Sequence, residues 1–178
     1  TGLDEEQANQ VLDAILDWRD ADELVRPQGA ERDQYEAMGK PYIPANMEFR
    51  TVAELQSVIG VTPDLYRKLA GALTVYSRQA GINSTIAPRQ VLLALPNATA
   101  ENVDSYLAER EEMLVAGLAP LTFPQAAGFE TGATAQVYNL RSLAKAADGT
   151  QFVREAVVRL AQDPKRPFVI FIWQEGRL

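Results

Sequence analysis

The feature that most narrows the fold is a pattern that occurs twice, 37 residues apart: Leu55, Val58, Gly60, Thr62 and Asp64 are answered by Leu92, Leu95, Asn97, Thr99 and Glu101. Each copy reads as an apolar helix, a tight turn and a capped helix. In the first copy Thr51-Val-Ala-Glu54 is a capping box, in which the Thr hydroxyl and the Glu carboxylate satisfy free amides at a helix start. Gly60 stops that helix, Thr62 caps the next with Pro63 at its first position, and Leu65, Leu69 and Ala72 supply its apolar stripe. The repeat predicts two related helical hairpins whose main role is to build a core.

Before the hairpins, Ala8, Val11, Leu12, Ile15 and Leu16 fall at helical spacing, predicting a first helix over Asp4 to Trp18 with an acidic outer face. Pro27, Gly29, Gly39, Pro41 and Pro44 then break up residues 23–50, which read as loop with one short helix at Glu31 to Met38. Irregular stretches this long in compact domains are usually functional, or held by something other than their own backbone. After a Gly- and Pro-containing connector from Leu118 to Gly132, apolar runs at Ala135 to Ala147 and Phe152 to Ala161 flank Asp148-Gly149, a hairpin signal. The run Phe168 to Trp173 is aromatic and β-branched, as strands are. Phe152, Ala156, Val157 and Leu160 also fit a helical stripe, but the turn and the third run favour a three-stranded antiparallel sheet.

With no cysteine and no histidine, the chain lacks disulfides, thiolate nucleophiles, and the commonest general base and zinc ligand. No run approaches the roughly 18 apolar residues of a membrane span. Its net charge of −7 sits in one place: residues 1–36 carry eleven acidic and three basic side chains. Such a surface suits cations or basic partners. Helix-hairpin-helix modules can bind DNA through turn amides, but residues 51–110 carry five acidic and five basic side chains with no basic cluster. Nucleic-acid binding is therefore the weaker reading of the hairpins.

Asp13, Asp17, Asp20 and Asp22 lie at the end of the first helix and just beyond, and Glu31 and Asp33 return after the Pro27 to Gly29 turn. Calcium takes about six to eight oxygens from a chain that bends around it, which this segment could supply, although the EF-hand loop is missing. A solvated acidic face is the competing reading. Trp18 and Tyr35 within the cluster argue for packing. A carboxylate pair could also serve a glycosidase, but no feature indicates a cleft. Ser142-Leu-Ala-Lys145 matches S-x-x-K on a predicted strand, where that motif has no mechanism, and Asn83-Ser-Thr85 and Asn97-Ala-Thr99 read as turn and cap chemistry.

LDWRDAD (Leu16 to Asp22), RPQGAE (Arg26 to Glu31) with Tyr35, PYIPAN (Pro41 to Asn46), the run from Val52 to Ser77, INSTIAPRQVLLALP (Ile82 to Pro96) and the closing strands together resemble one family. It is the minor pseudopilin K of type II secretion systems, also called general secretion pathway protein K. The chain departs from the family pattern where Arg32 interrupts the acids after Gly-Ala-Glu and where Ser84 follows Asn83. The resemblance implies an α+β fold, a pilin-like antiparallel sheet with a large all-helical inserted domain. Residues 1–117 would be that insertion, with two helix-hairpin-helix-like units, and 118–178 the sheet. The N-terminal membrane helix and first strands of the family would be absent from this fragment. The implied role is structural, with no catalysis: capping the tip of the periplasmic pseudopilus and starting its assembly, for export of folded proteins across the outer membrane. Partners would be minor pseudopilins I and J and the major pseudopilin filament, with inner-membrane anchoring in a Gram-negative bacterium only through the missing helix. The resemblance also implies calcium, with Asp17, Asp20, Asp22 and Glu31 as side-chain ligands and a carbonyl from the Arg26 to Ala30 turn.

Overall fold

The structure is a computed structural model that describes residues 2–77, 79, 81–131 and 137–176, the side chain of Gln162 excepted. Gly132 and the start of the expected first strand, Ala135 and Gln136, lie outside the described residues. The chain forms two compact units, Thr1–Val75 and Tyr76–Leu178.

In the first unit, helix α1 spans Glu5–Arg19 and starts at Asp4, whose carboxylate accepts the Gln7 N–H at 2.8 Å. Its buried residues are Val11, Ala14, Asp17 and Trp18. The apolar stripe is therefore rotated from the expected one: Ala8 and Leu12 face outward, and the stripe carries a carboxylate. Helix α2, Arg32–Ala37, is the short helix expected in the long loop. Gln34 Oε1 accepts the Glu31 N–H at 2.9 Å and fixes its start.

The loop is held by aromatic packing. Trp18 meets Tyr35 at 5.8 Å between ring centroids, Tyr42 edge-on at 6.3 Å, and Phe49 in a stack at 6.4 Å. Trp18, Tyr35 and Phe49 join Ala14, Ala30, Leu55 and Val58 in one core. The expected helix after Thr51 is a 3₁₀ turn, Val52–Ser57, with Glu54 Oε1 accepting the Thr51 N–H at 2.9 Å. Thr51 and Glu54 pair as the expected capping box, and the Thr51 hydroxyl also donates to Glu54 Oε1 at 3.4 Å. Gly60 adopts φ +86° in the turn, and α3, Pro63–Ala70, begins with Thr62 Oγ1 accepting the Leu65 N–H.

The second unit repeats the device. Helix α4, Arg89–Leu92, leads to Asn97 at φ +60°, the counterpart of Gly60, and α5, Ala100–Val115, is capped by Thr99, the counterpart of Thr62. Leu92, Leu95, Val103 and Tyr106 pack with Phe123 and Ala126 of the connector. Buried Ser84 ties the connector down: its hydroxyl donates to Glu130 and accepts the Phe123 N–H at 3.0 Å. Arg110 donates to the carbonyls of Ser84 and Ala87 at 3.2 and 2.8 Å.

The sheet follows: β1 (Val137–Lys145), β2 (Gln151–Asp163) and β3 (Arg166–Glu175), antiparallel in the order β1-β2-β3. Leu143 pairs with Val153 and Ala156 with Trp173, and the register shifts between Val157 and Val158. Gly149 at φ +89° closes the first hairpin, where Asp148 accepts the Thr150 N–H at 2.9 Å. The helical reading of residues 152–160 loses because the chain reverses at both ends of β2, which commits it to pairing. Val153 and Ala156 are buried at its centre, whereas Trp173 on β3 is 66% exposed.

Candidate metal centre

The acidic segment folds around the last turn of α1. Asp20 ends the helix in an extended conformation, its N–H donating to Leu16 O at 3.0 Å. The C-terminal end of a helix carries partial negative charge, so Asp17 and Asp20 sit where anions are disfavoured. Two kinds of group offset this. Backbone amides turn inward: the Arg26 N–H donates to Asp17 Oδ2 at 3.2 Å and the Gln28 N–H to Asp13 Oδ2 at 3.1 Å. The Arg26 guanidinium supplies the positive charge, with Nε 3.2 Å from Asp17 Oδ1 and Nη2 2.9 Å from Asp20 Oδ2.

Gly29 makes this close approach possible. A Cβ there would lie 2.0 Å from Asp17 Oδ2, so no larger residue fits without moving the carboxylate. Asp17 is wholly buried and Glu31 is 4% exposed. Burial, more than neighbouring charge, pushes Asp17 above its ordinary carboxylate range, against the amides of Arg26 and Ala30. Glu31 is pushed up to about 7, first by burial and then by the charges of Asp17, Asp20, Asp22 and Glu23. Neither Glu31 oxygen has a hydrogen-bond partner, and the same holds for Asp17 Oδ1, Asp20 Oδ1 and Asn46 Oδ1.

These buried, unmatched oxygens are the kind of donor set that a hard divalent cation takes. In donor chemistry, the residues fit calcium. Among the described residues, however, no group of three or more acidic side chains is arranged to hold a metal ion as it stands. All four expected ligands share one electrostatic neighbourhood, since Glu31 feels the charges of Asp17, Asp20 and Asp22. The Asp22 side chain is exposed and accepts the Leu24 N–H at 2.9 Å, while its carbonyl accepts from Asn46 Nδ2 at 3.1 Å. Among the turn carbonyls, that of Arg26 accepts the Gly29 N–H at 3.0 Å.

Sequence reasoning missed Arg26 and Asn46 as members of the centre. The signal for Asn46 was weak: an asparagine after Pro44, which adopts a left-handed φ of +46°. For Arg26 the signal was a cation, one of three among the eleven acids of residues 1–36.

Comparisons with known proteins bear on what this centre belongs to. Residues 1–78 match the family model described as type II secretion system protein K. The chain is 33% identical over 118 residues to type II secretion system protein K of Pectobacterium carotovorum subsp. carotovorum, covering 63% of this chain and 36% of that protein. It is 40% identical over 95 residues to type II secretion system protein K of Aeromonas hydrophila, covering 51% and 28% respectively. The chain thus spans well under half the length of either relative. In fold it is similar to a chain in the crystal structure of the GspK-GspI-GspJ complex from the enterotoxigenic Escherichia coli type 2 secretion system. That similarity has a TM-score of 0.59 at 18% identity, covering 99% of this chain and 66% of the other. Residues 1–78 are thus similar to the type II secretion system protein K family, and the likeness to these two relatives runs over 118 and 95 residues.

Proposed function

We propose that this chain is part of a minor pseudopilin that caps the tip of the type II secretion pseudopilus and starts its assembly. The family match over residues 1–78 carries the reading. The protein acts without catalysis, by binding: minor pseudopilins I and J at the tip, and the major pseudopilin below. A relative in fold comes from a crystal structure of the GspK-GspI-GspJ complex, which supports I and J as partners. In this reading residues 1–117 form a helical insertion in a pilin-like domain and 118–178 its closing strands. The protein works in the periplasm of a Gram-negative bacterium, anchored in the inner membrane when full length. Among the described residues, no helix is long and apolar enough to cross a membrane.

Calcium is the second part of the proposal, with Asp17, Asp20, Asp22 and Glu31 as ligands and Asn46 Oδ1 as a further donor. A bound cation supplies positive charge to carboxylates that are otherwise buried against one another. The chain itself turns amides and Gly29 toward Asp17, leaving carboxylate oxygens free of hydrogen bonds.

Co-purification tests the partners. Full-length protein expressed with pseudopilins I and J is expected to elute as one complex; elution of this protein alone would count against the tip role. Duplex DNA is expected not to bind at modest salt.

A further inference from the structure

Arg26 stands where a cation is expected. Its guanidinium reaches Asp17 and Asp20 together, at 3.2 and 2.9 Å, across the two carboxylates nearest the end of α1. It does so imperfectly: Arg26 Nε and Asp17 Oδ1 are within ion-pair distance but make no hydrogen bond, and Glu31, under the fields of four other carboxylates, receives no donor. One guanidinium cannot neutralise such a group. Its side chain is 40% exposed, so it has a way out to water. The backbone beneath is pinned independently, by the Arg26, Gln28 and Gly29 amides bonding to Asp17, Asp13 and the Arg26 carbonyl. The side chain can therefore leave without the turn unfolding.

We propose that Arg26 is an internal counter-ion that holds the acidic centre together when no metal is bound and is displaced by a divalent cation. This rests on the calcium reading given above. The folded protein then has two forms. In one, Arg26 spans Asp17 and Asp20; in the other, the cation takes those oxygens with Glu31, and the guanidinium swings into solvent. Arg26 thereby sets the calcium threshold, because the ion must break a two-point, charge-assisted contact before it binds.

The test uses the protein labelled with ¹⁵N. In EDTA the Arg26 Nε–H resonance, assigned by its loss in Arg26→Lys, is expected to be shifted from that of free arginine and protected from solvent exchange. At saturating calcium it is expected to move to the free position and lose protection. Titration calorimetry of Arg26→Met is expected to show calcium bound about tenfold more tightly than by wild type, with a lower melting temperature in EDTA. Calcium bound by wild type with the Arg26 resonance unmoved would overturn the displacement and leave the metal site standing. Unchanged or weaker calcium affinity in Arg26→Met would also overturn it. Failure of both proteins to bind calcium would remove the site and the displacement together.

Discussion

At the scale of single residues, Glu31 and Gly29 make the sharpest predictions. A carboxyl raised from 4.5 to about 7 binds its proton more tightly in the folded than in the unfolded chain. Folding stability in EDTA should therefore be greatest below about 4.5 and fall as pH rises through about 7, with Asp17 acting in the same direction. Urea midpoints measured across that range check it, and Glu31→Gln should flatten the profile. Calcium should reverse the trend, since only the ionised carboxylates bind it. Gly29→Ala should destabilise the protein by about 1–3 kcal/mol, the usual cost of forcing extra atoms into a packed site. Since its backbone needs no positive φ, a steric origin predicts relief when Asp17 is shortened, so the double variant with Asp17→Ala should recover part of the loss.

At the scale of elements, the two hairpins show what sequence reasoning captures well. Gly60 and Asn97 both take positive φ, and Thr62 and Thr99 both cap, because turn and cap chemistry is local and written in residue type. Replacing either threonine by alanine should cost about 1 kcal/mol, measurable as a shift in thermal midpoint. Less legible was which side of α1 faces inward. Trp18 and Ala14 set that side through the rings of Tyr35, Tyr42 and Phe49, contacts made with a loop that has no periodicity to read. Asp17 was consequently legible as a candidate ligand but not as a buried one. Asn46 was illegible for the same reason: its partner, the Asp22 carbonyl, lies 24 residues away on another part of the loop. For β2, periodicity allowed either helix or strand, and the turns on both sides decided it.

At the scale of the whole molecule, the acidic centre and its aromatic frame lie within Thr1–Val75, and the sheet lies within Tyr76–Leu178. A ligand confined to one unit should protect that unit first. Hydrogen exchange with calcium in excess is expected to slow amides between residues 13 and 50 and leave those of 137–176 unchanged. At a hundred times the dissociation constant the added stability is about 2.7 kcal/mol. The two tryptophans fall one to each unit in opposite surroundings: Trp18 at 5% exposure within the aromatic cluster, and Trp173 at 66% on the sheet. The protein thus carries a built-in pair of optical probes. Trp18 should emit at shorter wavelength and resist aqueous quenchers, and Trp173 at longer wavelength and yield to them. Iodide can silence the second and leave the first to report, without any label, on the loop that holds the acids.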